Sequence, residues 1–118
     1  VTLDGEIIGK PVNTEDAVRI LRKLSGCEHE VFSAVSVAMN DNVTSKLSCS
    51  KVRFAELSDA LIQDYVDTGE PMDKAGAYGV QGKAATFIAE INGSYSGIMG
   101  LPLFETAQLL KQVGFAVL

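Results

Sequence analysis

The spacing of apolar residues changes from element to element along this chain. Val1 to Ile8 reads as a hairpin: an apolar stretch, a turn at Asp4-Gly5, then Ile7-Ile8. Pro11 ends it. Ala17, Leu21 and Leu24 then fall on one face of a helix that Asn13 or Thr14 can cap. Arg22 and Lys23 suit its last turn, and Gly26 suits the left-handed residue just beyond. From Glu30 to Met39 the period becomes two. Val31, Ser33, Val35, Val37 and Met39 share one face; Phe32, Ala34, Ser36 and Ala38 share the other. Both faces are fairly apolar, so a central strand covered on both sides is expected. Asn40-Asp41-Asn42 turns the chain into a second, more polar strand from Lys46 to Phe54.

Ser58 begins another helix, with Leu57 and Ile62 placed to form a hydrophobic staple. It ends near Thr68-Gly69, and Pro71 blocks continuation. Pro71 to Gly82 is then a glycine-rich loop. Ala84 to Ile91 and Tyr95 to Met99 read as two strands flanking Asn92-Gly93, a strong hairpin signal. Pro102 suits the first turn of a last helix that runs to about Val113 and closes at Gly114. The order is β-hairpin, α, β, β, α, loop, β-hairpin, α. This predicts an α/β fold: a mixed twisted sheet with flanking helices.

Composition narrows the function classes. The chain has 118 residues, 47% apolar and 21% charged, which is globular rather than disordered. The net charge is −5, and no basic face is evident, so nucleic acid is not an expected partner. The longest uncharged run, Ile91 to Phe104, is too short to span a bilayer and is broken by glycines and Pro102. Cys27 and Cys49 make no disulfide framework and read as reduced, unlinked thiols in a cytoplasmic protein.

Few residues offer chemistry. His29, the only histidine, stands between Glu28 and Glu30 at a strand start, where a structural role is the expectation. No His/Cys spacing suits zinc, and neither cysteine has a histidine nearby in sequence. The unusual stretch is Gly69-Glu70-Pro71-Met72-Asp73-Lys74-Ala75-Gly76-Ala77-Tyr78-Gly79-Val80-Gln81-Gly82. Its glycines let the backbone approach a ligand closely. Lys74 supplies a positive charge, Gln81 an amide that donates and accepts, and Asp73 could bind a metal or fix Lys74. By chemistry alone it fits either a tight loop with a surface ion pair or an anion contact. Lys10, between Gly9 and Pro11, fits either a solvated lysine or a phosphate contact.

The Gly69–Gly82 stretch resembles the most diagnostic motif of the Maf family of nucleoside triphosphate pyrophosphatases, also called septum formation inhibitors. Gly5-Glu6-Ile7-Ile8-Gly9-Lys10-Pro11, Leu21 to Gly26 with His29, and Ile91 to Tyr95 with Gly100-Leu101-Pro102-Leu103 agree with it in order and spacing. The resemblance implies hydrolysis of a nucleoside triphosphate to the monophosphate and pyrophosphate, with a divalent metal, Mg²⁺ or Mn²⁺. It implies a Maf/ITPase-like α/β body with a deep cleft and a homodimer. The Lys-Ala-Gly-Ala-Tyr-Gly-x-Gln-Gly form resembles the dTTP/UTP-preferring branch. Lys10 matches a phosphate-contacting lysine, Lys74 adds a substrate contact, and Gln81 matches a position linked to base selectivity.

Two motifs of that family, Ser-x-Ser-Pro-Arg-Arg and the Ala-Asp-Thr that holds the expected general-base Asp, do not occur here. Residues 1–118 are therefore expected to be the C-terminal three-fifths of one domain, inactive alone, with the general base upstream of Val1. Such a piece would pack against the absent segment or a second chain. Lys10 and Gln81 are expected to face one cleft with Asp73-Lys74 at its edge. The alternative is a non-catalytic module that binds nucleotide or a partner in septum formation.

Overall fold

The computed structural model describes residues 1–118. The chain opens with a hairpin, β1 (Thr2–Leu3) and β2 (Glu6–Ile7), around Asp4 and Gly5, both at positive φ. Helix α1 (Thr14–Leu24) starts at Asn13, whose Oδ1 accepts the Asp16 amide at 2.8 Å, while Asp16 Oδ2 accepts the Val12 amide at 3.0 Å. The acidic first turn and basic last turn both complement the helix dipole. Ala17, Ile20, Leu21 and Leu24 form its buried face.

Strands β3 (Glu28–Met39) and β4 (Asn42–Phe54) form a long antiparallel ribbon. Asn40 and Asp41 both take positive φ, the two-residue turn that matches strand twist. Helix α2 (Asp59–Asp67) is capped by Ser58 Oγ and buries Ile62, Tyr65 and Val66. Three short 3-10 turns follow at Glu70–Asp73, Ala75–Ala77 and Lys83–Thr86. Strand β5 (Ile88–Asn92), α3 (Tyr95–Met99) and α4 (Leu103–Gln112) complete the chain. No helix is long and apolar enough to cross a membrane.

The strands run in the order β2-β1-β3-β4-β5. The helices lie on one face. Val31, Val52 and Phe54 pack there with the buried faces of α1 and α2. Ser33, on the same face as Val31, donates to the Gly97 carbonyl of α3 at 2.5 Å, and α4 packs across the far end of the ribbon.

The α/β class with flanking helices stands, with one correction to the sheet. Every pairing is antiparallel, so the sheet is not mixed. The elements joined in sequence are hairpins, and β4 reaches β5 by an excursion through α2 that returns antiparallel. Strand β3 is central, and within residues 1–118 its Phe32, Ala34, Ser36 and Ala38 face is exposed, with Phe32 at 44%.

The expected hairpin at Asn92-Gly93 is not formed, and Tyr95–Met99 is helical. Ser94 decides this. Its Oγ accepts the Gly97 amide at 3.0 Å as a helix cap, and its own amide donates to Ser50 Oγ at 2.8 Å. Gly93 serves close approach instead of a two-residue turn: a Cβ there would lie 2.7 Å from Ser50 Cβ. Ala84 to Thr86, read as strand, belongs to a 3-10 turn. Ser94→Ala is expected to lower stability by about 1 kcal/mol, and Gly93→Ala by more. Urea denaturation midpoints measure both, and an unchanged midpoint in Ser94→Ala would contradict the cap.

Candidate functional site

The glycine-rich stretch after α2 is held down along its length. Gly69 leaves the helix at a φ of 79°, and Pro71 is buried. The Gly76 amide donates to the Gly9 carbonyl at 3.1 Å, which joins this stretch to the Lys10-Pro11 segment. The Tyr78 ring then drops into the core. It meets Phe54 edge-on at 4.8 Å between centroids and His29 at 5.3 Å, and its hydroxyl lies 2.7 Å from His29 Nε2.

With Tyr78 anchored, the residues around it form one wall of a cavity of about 350 Å³. Asp73, Lys74 and Gln81 all line it; Ser33 of β3 and Met99 of α3 stand across from them. Lys74 Nζ bonds Asp73 Oδ1 at 2.9 Å. That bond, and the Lys74 charge behind it, hold the exposed Asp73 carboxyl below the usual range. The Lys74 stem lies along the Gly79 backbone, where a Cβ would come within 2.8 Å of Lys74 Cε.

Gln81 borders a second concavity of about 410 Å³, walled by β5 and Tyr95 and more apolar than the first. Gln81 thus stands where the two concavities meet.

Lys10 is placed differently from the sequence expectation. It does not line this cavity. It stands in a small neighbouring groove with Glu6, Asp16, Arg19 and Lys23. The Gly9–Gly76 hydrogen bond keeps it close enough for its charge to contribute to the lowering of Asp73.

His29 is structural, as expected. It is 1% exposed, and burial pushes its pKa down to about 4. It is therefore neutral near pH 7. Both cysteines are free. Sequence reasoning gave no role to Tyr65, Glu70 or Tyr78. The available signal was Gly79 and Gly82, whose missing side chains leave room for Lys74 and Glu70.

The Maf-like protein family profile matches residues 1–113. The chain belongs to the Maf-like protein family. It is 60% identical over 113 residues to a dTTP/UTP pyrophosphatase of Aromatoleum aromaticum, covering 96% of this chain and 55% of that protein. It is 57% identical over 118 residues to a dTTP/UTP pyrophosphatase of Ralstonia nicotianae, covering 99% and 57%. A nucleoside triphosphate pyrophosphatase of Haemophilus ducreyi is 51% identical over 118 residues, covering 100% and 60%. The chain thus spans just over half the length of the curated relatives it matches.

This Maf-like chain does not build a metal cage from its own residues. No three or more His, Cys, Asp or Glu side chains converge. Asp73 is the one carboxylate that lines the 350 Å³ cavity, and it is engaged with Lys74.

The buried histidine makes stability pH-dependent. Its pKa is about 4 in the fold against 6.5 for a free side chain. Between those values the unfolded chain binds more protons, so stability rises with pH and is complete above about 6.5. Lowering the pH from 6.5 to 5 is expected to cost about 2 kcal/mol. His29→Gln should be less stable at pH 7 and lack this slope. Urea titrations at both pH values measure it; an equal slope in the variant would place its origin elsewhere.

Proposed function

We propose that the protein is a nucleoside triphosphate pyrophosphatase acting on dTTP and UTP. Water attacks the α-phosphorus, the α–β anhydride bond breaks, and the monophosphate and pyrophosphate leave. One observation carries the reading: Lys74 and Gln81, seven residues apart in one motif, line a single cavity in a chain 50–60% identical to proteins of that name. A housecleaning role, removal of unwanted nucleotides, follows from that chemistry.

The roles follow from side-chain chemistry. Lys74 offsets phosphate charge, and Lys10 extends the positive path from the adjoining groove. Uracil and thymine share one edge, an O4 acceptor beside an N3–H donor. The Gln81 amide complements it with one donor and one acceptor, whereas cytosine reverses that pattern. A divalent cation, Mg²⁺ or Mn²⁺, suits the oxygen-rich triphosphate and would neutralise charge there; on this chain Asp73 is the carboxylate nearest to hand. The base that activates water is assigned to the portion of the relatives that these residues do not match.

Pyrophosphate release from dTTP, UTP and CTP by the intact protein tests this. Turnover of dTTP and UTP should exceed that of CTP by about 10-fold or more, the size of one paired base-edge contact. Lys74→Ala should lower kcat/KM by ~10²-fold, as loss of one charge-stabilising group does. Gln81→Glu should erase the preference over CTP. Binding of dTTP with no pyrophosphate released would favour a non-catalytic nucleotide-binding module instead.

A further inference from the structure

The stretch that carries Lys74 and Gln81 begins at Glu70, a residue to which neither the motif nor the cavity assigns a task. Its side chain folds back beneath the stretch rather than out to solvent. Oε1 accepts the Lys83 amide at 2.9 Å, and Oε2 accepts the Ala84 amide at 3.4 Å. Oε2 also accepts the Tyr65 hydroxyl. The Tyr65 oxygen in turn accepts the Gly79 amide at 3.3 Å. One carboxylate is thus bonded, directly or through one hydroxyl, to the backbone at 79, 83 and 84.

The glycine pattern fits the same device. A Cβ at Gly82 would overlap the Glu70 carboxylate, so only glycine lets that group sit under the chain. A Cβ at Gly79 would stand 3.9 Å from Glu70 Oε2 and against the Lys74 stem. Glu70 and Lys74 therefore share one side of the stretch. The charge state agrees: burial pushes the Glu70 carboxyl up, but the Tyr65, Lys83 and Ala84 bonds and the Lys74 charge together outweigh it.

We propose that Glu70 is a positioning residue: its carboxylate ties the start of the 70–84 stretch to its end, and so fixes where Lys74 and Gln81 face the cavity. The proposal rests on the nucleotide reading of that cavity. Only an ionised carboxylate does this well, because every partner is a donor. Glutamine keeps the shape but turns an NH₂ toward Ala84 and Tyr65, and aspartate is one methylene short.

Two measurements on the intact protein test it, comparing the unaltered chain with Glu70→Gln. Amide hydrogen exchange at Gly79 and Ala84 should speed by about 10-fold or more, the size of one lost charge-assisted hydrogen bond, while Lys83, which keeps a neutral oxygen acceptor, speeds less and the β3–β4 amides keep their rates. Tyr65→Phe, which removes only the bridging hydroxyl, should speed Gly79 and spare Lys83. In steady-state hydrolysis of dTTP, Glu70→Gln should raise KM by about 10-fold with a smaller change in kcat. In a Lys74→Ala, Gln81→Ala background the same substitution should change KM little, because the groups it positions are gone. Unchanged exchange at all three amides overturns the proposal. So does a kcat loss at constant KM, which marks a smaller folded fraction, or a full KM effect that persists in the double background. Absence of dTTP turnover in the unaltered protein would sink the nucleotide reading, while the exchange rates would still decide whether Glu70 holds the stretch.

Discussion

Asn40 and Asp41 both sit at positive φ, and the two-residue turn they form pairs Met39 with Asn42 and, far down the ladder, His29 with Val52. Everything that shapes the site depends on this register. It puts His29, Val31 and Ser33 on the helix-covered face beside Ser48, Ser50 and Val52. A slip of one residue would turn Phe32 and Ala34 inward and carry His29 out of the core. Asn and Asp tolerate left-handed backbone better than other residues with a side chain, so the turn is secured by local chemistry before any tertiary contact forms.

The site is then built by pinning an irregular stretch onto that regular frame. Tyr78 is the apolar pin. Edge-on aromatic contacts run from His29 and Tyr78 through Phe54 and Phe87 to Tyr65, and such pairs contribute about 0.5–1.5 kcal/mol each beyond area burial. At its base the chain of rings holds α2 to the sheet. At its top it holds the wall of the cavity. A stretch with no long helix or strand of its own is therefore as well anchored at its centre as the core itself.

Much of this was legible in the sequence. The caps at Asn13 and Ser58, the Asp4-Gly5 turn and the period-two strand from Glu30 are local signals, and each is found where it was read. The motif from Gly69 to Gly82 identified the stretch that lines the cavity, with Asp73, Lys74 and Gln81 all on its wall. What failed was long-range. Asn92-Gly93 has the dipeptide of a hairpin, but Ser50 from a different strand takes the Ser94 amide and leaves Ser94 free to cap a helix. Lys10 stands next to the same stretch but in the neighbouring groove, because the Gly9 carbonyl before it, not the Lys10 side chain, meets Gly76.

On the proposed reading, an acidic chain must keep its cations available for a triphosphate. Of the four cations around the cavity and its neighbouring groove, three are paired: Lys74 with Asp73 at 2.9 Å, Arg19 with Asp16 at 2.8 Å, and Lys23 with Glu6, while Lys10 is in no ion pair. These pairs lie near the surface, and Asp73 is 79% exposed. Exposed pairs of this kind are worth about 0–1 kcal/mol, so breaking one costs little. On the proposed reading the Asp73 carboxylate occupies Lys74 in the absence of substrate and gives way to a phosphate, which carries more charge and more acceptor oxygens. The ion pair keeps the lysine aimed along Gly79 without committing it. On that reading, a chain of net charge −5 holds a site for a polyanion with a few placed lysines.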